Sequence, residues 1–450
     1  MKNIKIINLI VSLFVTLLVS SCGGGSTSAT LQTYTVGGKV SGLSNGKTVV
    51  LNDNGGDANS ITGGGTGSDL YTFATAISAG GSYAVSVVTQ PAGMTCSVGN
   101  GAGSVASVNI TTISVTCYKN PAFAYVANSG DNTVSAYTIN PTTGALTSVG
   151  APVATGISPR FVAVPPNGKF AYVTNQLDST VSAYTINPIN GGLSSVGAPV
   201  STGSHPTGIT VDPSSKFVYV LNLSDNTVSA YAINNSTGLL TSVGAPVATG
   251  TNPFGIAFDY ASRFVYVTNR GDNTVSAYSI DNTNGALTSV GVPVATGNSP
   301  LMVAVDSTGK FAYVTNKNDD TVSAYTIDSS TGALTPVGAA VTTGSSPFGI
   351  TVDPSSKFLY VANSNDNTVS AYVINSTTGA LTPVGAAVAT GNTPWVIASD
   401  FSGKFLFVVN ANDNNVSTFS INSNSGALTP VGLGVAAGVS PYGLAVAPAQ

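Results

Sequence analysis

The chain has 450 residues, of which 42% are hydrophobic and 7% are charged, and its formal net charge is −4. This composition excludes intrinsic disorder, which requires low hydrophobicity together with high charge. The 14 basic residues form no run, so the sequence offers no electrostatic surface for nucleic acid, and nucleic-acid binding is excluded as a function.

The first 21 residues predict a lipoprotein signal peptide. Lys2 and Lys5 precede an apolar stretch, residues 6–19, that is short for a bilayer-spanning segment. The stretch ends in the letters VSSC, where a small-residue cleavage site is followed at once by Cys22. An ordinary secretory signal followed by a chance cysteine is the alternative interpretation.

The letters VSSC resemble the lipobox of bacterial lipoproteins, and the resemblance implies that Cys22 becomes an acylated N-terminus. Several acyl chains on one residue anchor a protein stably without a transmembrane helix. Residues 22–30, rich in Gly, Ser and Thr, then serve as a flexible tether. We therefore expect a bacterial cell-envelope protein, held by lipid at the outer membrane or cell surface.

Residues 31–120 predict a small β-sandwich of Ig-like character. Short alternating segments such as "YTVGGKVSGL" and "GSYAVSVVTQ" are bounded by Gly, Asn and Ser, and no helical period appears. Apart from Cys22, the cysteines are Cys96 and Cys117, which predict one disulfide in an exported chain. Closing a loop of this size is worth roughly 3 kcal/mol in the chain-entropy model.

Residues 121–450 form a repeat. Asn ends the strand-like words "YVAN", "YVTN", "YVLN" and "FVVN" at positions 47 residues apart, which are Asn128, Asn175, Asn222, Asn269, Asn316, Asn363 and Asn410. The chain from Ala122 to Gln450 holds seven such units without insertion or deletion. A period of this length indicates a repeat architecture.

The unit that starts at Pro206 contains four strand signals: "GITVD", "KFVYVLN", "TVSAYAI" and "LTSVGAPVA". Because both faces of its middle strands are apolar, each sheet needs a neighbour on both sides. Seven four-stranded sheets packed radially predict a seven-bladed β-propeller, with a β-solenoid as the alternative. The array begins with a second strand and ends with a first strand, so residues 441–448 are predicted to complete the first blade and close the ring.

The word "DNTVSAY" stands at Asp131, Asp225, Asp272 and Asp366, with near copies in the other three units. Asp is common in tight turns, where its side chain accepts a hydrogen bond from a nearby backbone N–H. A calcium site would need six to eight converging oxygens, and this chain has no Glu. We interpret the repeated Asp as scaffold, and we expect no metal and no cofactor.

Specific function is then expected where the seven copies disagree. The loops entering the first strands and the turns between the second and third strands share one face of a propeller, and the sole His and sole Trp of the chain lie there. Aromatic and cationic residues on this face predict a ligand-binding funnel; the candidates are Arg160, His205, Phe254, Arg270, Lys317, Phe348, Trp395 and Tyr442. Ordinary packing around a narrow channel is the alternative.

For catalysis the sequence offers two candidates. His205 could act as a general base, and Arg160, in the equivalent loop of the preceding blade, could stabilise an oxyanion. A loop His that is merely solvated is the competing interpretation.

The repeat resembles the YVTN-type β-propellers, which belong with the seven-bladed lactonase propellers related to 6-phosphogluconolactonase. The resemblance rests on "YVTN" at Tyr172, Tyr266 and Tyr313, followed by "DNTVSAY", "TGALTPVG" and "SPFGITVDPSSKFLYVAN", and it covers residues 122–450. It implies the propeller fold and a lactonase site of acidic, His and Arg residues at the channel mouth, to which this chain contributes His205 and Arg160.

Two functions follow from these expectations. The first is a lipid-anchored envelope propeller that binds a small molecule or a protein partner through its funnel, with the sandwich as a stalk. The alternative is a lactone hydrolase of the 6-phosphogluconolactonase type on the same fold.

Overall fold

The computed structural model describes residues 32–91 and 93–449, and every regular element in these ranges is a β-strand. No helix in these ranges has the length and apolarity needed to cross a bilayer. The predicted signal peptide, the tether and Cys22 lie outside the described residues.

The first region is the predicted disulfide-tied β-sandwich. Its two sheets enclose one core, in which Val40, Leu51 and Val115 are completely buried. In sheet order, the first sheet consists of Ser68–Thr72, Val36–Ser41, Ile110–Lys119 and Met94–Gly99, and the second of Asp57–Thr62, Thr48–Asp53, Ser82–Thr89 and Ala102–Ser104. A further short pair joins Thr33–Tyr34 and Ile77–Ser78.

Cys96 and Cys117 face each other on neighbouring antiparallel strands and form a disulfide, which confirms the predicted pairing. The strand of Cys117 also pairs in parallel with Val36–Ser41. The disulfide thus joins the last strand of the sandwich, Ile110–Lys119, to its neighbour at the edge of the sheet, Met94–Gly99, close to the start of the repeat.

The second region is a ring of seven antiparallel blades, as the 47-residue repeat predicts. We number the blades 1–7 by the order of their second strands. The inner strands, blades 1–7, are Pro441–Ala447, Pro159–Ala163, Pro206–Val211, Pro253–Phe258, Pro300–Val305, Pro347–Val352 and Pro394–Ser399.

The second strands are almost fully buried on both faces, as their doubly apolar pattern requires. They are Ala122–Asn128, Phe170–Asn175, Phe217–Asn222, Phe264–Asn269, Phe311–Asn316, Phe358–Asn363 and Phe405–Asn410. The third strands are Thr133–Ile139, Thr180–Ile186, Thr227–Ile233, Thr274–Ile280, Thr321–Ile327, Thr368–Ile374 and Asn415–Ile421.

The outer strand is continuous in blades 3 and 4 and divided into two short segments in the other blades. The continuous strands are Leu240–Ala248 and Leu287–Ala295. The divided strands are Leu146–Ser148 with Val153–Ala154, Leu193–Ser195 with Val200–Ser201, Leu334–Pro336 with Val341–Thr342, Leu381–Pro383 with Val388–Ala389, and Leu428–Pro430 with Val435–Ala436.

The C-terminal strand closes the ring. Pro441–Ala447 pairs antiparallel with Ala122–Asn128, which confirms the closure predicted from the phase of the repeat. Each inner strand contacts the inner strands of both neighbouring blades, so the seven strands form a complete circle around the central axis.

Residues of the repeated sequence segments form hydrogen bonds between neighbouring blades. The Tyr219 hydroxyl in blade 3 donates to the carbonyl of Gly285, at the outer hairpin turn of blade 4, over 2.8 Å. Gly285 has φ of +81°, and a Cβ there would lie 2.4 Å from the Phe217 ring, so both the turn and the packing require glycine. Five other interfaces carry the same bond, whereas blade 7 has Phe407 in place of the tyrosine.

Candidate functional site

The "DNTVSAY" turns give one face of the ring the same backbone geometry in all blades. We call the face that carries these turns and the loops entering the inner strands the His205 face. The Asp225 carboxylate accepts a hydrogen bond from the Ser204 N–H over 2.7 Å, within the loop that enters the same blade. The next residue, Asn226, accepts from the N–H of Asn252 in the entry loop of blade 4 over 2.8 Å.

The repeated Asp is therefore scaffold, as interpreted from the sequence, but its partner differs from the expected one. A turn role predicts a bond to an N–H two residues away, whereas the observed partner lies 21 residues earlier in six blades and 308 residues later at the ring closure. The carboxylate thus joins two loops, which keeps the backbone of this face alike in all blades.

His205 occupies a backbone position with a fixed conformation. The residue before each inner-strand proline has a left-handed backbone, and the set is Ser158, His205, Asn252, Ser299, Ser346, Thr393 and Ser440. His205 has φ of +53°, and its exposed imidazole Nδ1 lies 3.0 Å from the Ser224 hydroxyl oxygen. Where the other blades place a small polar side chain, blade 3 therefore places a titratable ring beside a hydroxyl.

Arg160 lies at the start of the inner strand of blade 2 and is half-buried. Its Nε donates to the Gln176 amide oxygen over 2.7 Å, and its guanidinium carbon lies 4.5 Å from the centre of the Tyr442 ring. The side chain is thus held by one hydrogen bond and one cation–π contact. Its remaining N–H groups give it the capacity to bind a carboxylate or a developing oxyanion.

Arg270 supplies a second guanidinium on the same face. Its Nε donates to the Ser299 hydroxyl of blade 5 over 3.1 Å, and the side chain is exposed. Burial raises the pKa of the Tyr442 hydroxyl to about 12, and the positive charges of Arg160 and Arg270 act against this rise. Both guanidinium groups are therefore close enough to Tyr442 to lower the pKa of its hydroxyl. Lys317 is half-buried in the turn of blade 5 that is equivalent to the turn of Arg270 in blade 4.

An aromatic cluster fills the channel beneath these cations. Trp395 stacks on Phe348 with a centroid distance of 5.6 Å and meets Tyr442 edge-on at 4.3 Å. Phe348 also contacts Phe254 at 5.6 Å, and Phe161 lies 5.3 Å from Tyr442. Phe254, Phe348 and Tyr442 are buried, while Trp395 remains half-buried. They form a closed floor rather than the exposed wall of a deep funnel.

Sequence reasoning missed Phe161, which belongs to this floor. Four blades have glycine at its position, and a Cβ on Gly255, for example, would lie 2.4 Å from the Leu301 carbonyl oxygen. Blade 2 instead has Phe161, which packs into the apolar core at the channel mouth. A comparison of the seven copies at this position would have found it.

The face brings several of the predicted residues together. Arg160, Trp395, Phe348 and Tyr442 are in contact, whereas His205 pairs with Ser224. His205 and Arg160 lie on neighbouring blades, and their side chains share no hydrogen bond in the described part of the chain. Ser224 and Gln176, the direct partners of the two catalytic candidates, lie in the turns between the second and third strands and are not among the candidates predicted from the sequence.

The opposite mouth of the channel, which we call the Tyr260 face, contains a cavity of about 290 Å³. Apolar residues such as Val211, Phe258 and Val305 line it, together with Thr210, Thr351 and Tyr260. Burial raises the pKa of the Tyr260 hydroxyl, and the charges of Asp306 and Asp353 raise it further. The described residues that line this cavity include no histidine, carboxylate, lysine or arginine, whereas the opposite face carries His205, Arg160 and Arg270.

A metal centre is not formed by the side chains that the structure describes: between residues 32 and 449, no three His, Cys, Asp or Glu residues are placed to hold a metal ion.

Comparison with known proteins identifies the ring. The family model described as lactonase, 7-bladed β-propeller, matches residues 106–205, 162–258, 199–303, 255–348 and 341–441 in overlapping steps. No curated protein matches the chain.

Solved structures share the architecture. A candidate 6-phosphogluconolactonase from Bacteroides fragilis is 21% identical with a TM-score of 0.65, and the match covers 73% of this chain and 98% of that one. The periplasmic gluconolactonase of Pseudomonas aeruginosa is 18% identical with a TM-score of 0.63, and the match covers 73% and 99% of the two chains. At such low identity these similarities show the fold alone.

Proposed function

Because this chain belongs to the seven-bladed β-propeller lactonase family, we propose that it hydrolyses a lactone on the His205 face. The observation that carries the proposal is the pair formed by His205 and Ser224, 3.0 Å apart and exposed on the face that also carries Arg160 and Arg270. Family membership favours this function over binding without turnover.

Lactone hydrolysis needs a base for the attacking water and a positive group for the carbonyl oxygen. In the proposed reaction the His205 Nδ1–H donates to the Ser224 hydroxyl oxygen, which leaves Nε2 free to accept a proton. The water oxygen bonds to the acyl carbon while its proton passes to Nε2. Negative charge then develops on the carbonyl oxygen, where the Arg160 guanidinium stabilises it.

Opening of the lactone ring completes the proposed reaction. The bond between the acyl carbon and the ring oxygen breaks, and the imidazolium of His205 returns its proton to the departing alkoxide. The product is a hydroxy acid, whose carboxyl group releases the second proton of the water to solvent and stays as a carboxylate beside the two guanidinium groups. Because Gln176 fixes Arg160 over the Tyr442 ring, the cation needs little reorganisation during the reaction.

The test is hydrolysis of a lactone panel by the wild type and by His205→Asn. Asn252 holds the same left-handed conformation in blade 4, so asparagine removes the imidazole without straining the backbone. We expect kcat/KM to fall by roughly 10²–10⁴ for His205→Asn and by roughly 10²–10³ for Arg160→Met. Ser346→Asn, at the equivalent position of blade 6, is the matched control and should retain full activity.

Unchanged turnover in His205→Asn would contradict the proposed base. Ser224→Ala distinguishes two roles of the hydroxyl: a modest loss fits positioning of His205, whereas complete loss indicates that Ser224 itself attacks the lactone. A lactone that changes the fluorescence of Trp395, the sole tryptophan, without being hydrolysed would support the binding role instead.

We also propose that Cys22 carries the lipid anchor, which would place the ring in the cell envelope. The lipobox-like letters before Cys22 support this proposal. Palmitate labelling in a bacterial host should depend on Cys22, and Cys22→Ala should release unlabelled protein from the membrane fraction. Equal membrane retention of the variant would overturn the anchor.

A further inference from the structure

The rim of the His205 face is polar around most of the ring and apolar in one arc. Two positions per blade form this rim: the residue two before the inner-strand proline and the residue before the repeated Asp. In blades 3–7 they are polar or glycine, namely Ser204, Ser224, Thr251, Gly271, Asn298, Asn318, Ser345, Asn365, Asn392 and Asn412. In blades 1 and 2 they include Val439, Ile157 and Leu177, and we call these three residues the apolar arc.

The three side chains of the apolar arc are well exposed, at 49% for Val439, 50% for Ile157 and 61% for Leu177. The fold does not require them, because the polar copies have the same backbone contacts. The Leu177 N–H donates to the Ile157 carbonyl over 3.3 Å, just as the Ser224 N–H donates to the Ser204 carbonyl over 3.3 Å. Contiguous apolar residues that are exposed without a structural role mark a binding surface.

The apolar arc is continuous with the proposed catalytic groups. The Ile157 loop is joined to the turn of blade 1 by the bond from the Thr155 N–H to the Asn132 carbonyl, over 2.9 Å. The turn that carries Leu177 is joined to the His205 loop by the bond from the Thr202 N–H to the Ser179 carbonyl, also over 2.9 Å. Going round the rim from blade 1, the arc is thus followed directly by the His205 loop.

We propose that the substrate is a lactone with an apolar alkyl substituent, which lies along the apolar arc while the lactone ring occupies the space between His205 and Arg160. This inference rests on the proposed function and specifies its substrate class. A polyhydroxylated sugar lactone would gain no hydrogen bonds from Ile157 and Leu177, whose side chains carry no polar atoms. An alkyl chain of several carbons instead covers apolar surface that is otherwise exposed to water.

The test compares γ-nonalactone, γ-valerolactone and glucono-δ-lactone as substrates of the full chain. We expect the wild type to favour γ-nonalactone over γ-valerolactone by roughly tenfold or more in kcat/KM, and to hydrolyse glucono-δ-lactone poorly. Leu177→Asn and Ile157→Ser introduce residues that other blades use at these positions, so both variants should fold. They should lose the preference for the longer chain, because kcat/KM falls more on γ-nonalactone than on γ-valerolactone.

Leu433→Asn is the matched control, since Leu433 is 92% exposed between the two outer-strand segments of blade 7 and does not belong to the apolar arc. It should keep the wild-type preference. The inference is overturned, while lactone hydrolysis stands, if glucono-δ-lactone is the better substrate or if Leu177→Asn keeps the preference for γ-nonalactone.

If no lactone is hydrolysed, the proposed function fails, and titration of Trp395 fluorescence with γ-nonalactone decides about the ligand class. Binding that weakens at least severalfold in Leu177→Asn, but not in Leu433→Asn, would support the apolar arc as the alkyl site. An absence of binding, or equal binding by the two variants, would overturn it.

Discussion

The blade interfaces and the His205 face are built from the same 47-residue unit, yet their sequences vary in opposite ways. Tyr219 and its counterparts make nearly the same bond between blades, and Asn222 and its counterparts make nearly the same bonds within each blade. On the His205 face, the equivalent positions hold residues as different as Arg160, Thr207 and Trp395. The repeated residues hold the ring together, and the divergent residues are free to carry chemistry because the backbone beneath them is already fixed.

The comparison predicts that changes at the interfaces alter stability, whereas changes on the His205 face alter activity. The largest expected effect comes from removing residues 438–450. Blade 1 then loses its inner strand, and the second strand, Ala122–Asn128, becomes an open edge. We expect a loss comparable to the roughly 5–15 kcal/mol that stabilises a typical domain.

The truncated chain should aggregate or melt far below the parent in thermal unfolding followed by circular dichroism. Its control is deletion of residues 31–118, which should leave the ring folded because the sandwich has its own core. A C-terminal deletion that melted like the parent would contradict ring closure.

Alkaline pH should have the second-largest effect on stability, because it ionises buried tyrosines at the blade interfaces. Burial raises the pKa of Tyr325 to about 12 and also raises that of Tyr219 and its counterparts. The unfolded chain releases these protons near pH 10, where the folded ring still holds them. The tyrosines therefore contribute full stability below pH 10, and this contribution falls as the pH rises above 10, for Tyr325 up to about pH 12. Urea midpoints should be constant between pH 7 and 9 and fall above pH 10; a constant midpoint at pH 11 would refute the assignment.

A single buried residue within a blade should come third. Asn222 is completely buried, donates to the Thr227 and Ser229 hydroxyls, and accepts from the Gly203 N–H over 3.0 Å. Asn222→Ala leaves these groups without their partner, and we expect a loss of roughly 3 kcal/mol in the free energy of unfolding. Asn235→Ala, on an exposed turn, should change it by less than about 0.5 kcal/mol.

The tyrosine hydroxyls allow a paired test with opposite signs. Tyr219→Phe removes the bond to the Gly285 carbonyl and should cost about 1 kcal/mol. Phe407→Tyr places a hydroxyl at the one interface that lacks it, near Gly144 of blade 1, and should raise the stability by about 0.5–1 kcal/mol. If both substitutions lower the melting temperature, the bond contributes less than the packing around it.

The smallest stability effect should occur on the His205 face. His205→Asn keeps a residue suited to φ of +53°, so the free energy of unfolding should change by less than about 0.5 kcal/mol. His205→Val should be clearly less stable, because a β-branched residue is strained in this conformation. A large loss of stability in His205→Asn would show that the imidazole supports the fold and would remove the contrast between the two regions.

The sequence alone determined the ring. Because each four-stranded unit has two apolar faces, it must be covered on both sides, and the phase of the repeat leaves the inner strand of blade 1 to the C-terminus. The seven blades, the closure and the disulfide between Cys96 and Cys117 follow from local patterns, whereas the division of the outer strand in five blades does not.

Only the tertiary structure decided what the channel mouth looks like. The ring brings together residues from different blades, such as Arg160 with Tyr442 and Phe161 with Phe254, and whether their side chains leave a hollow or fill it depends on packing that no local pattern records. The partner of His205 and the long-range bond of each repeated Asp were decided in the same way, because loops that are distant in sequence become neighbours only when the blades close around the axis.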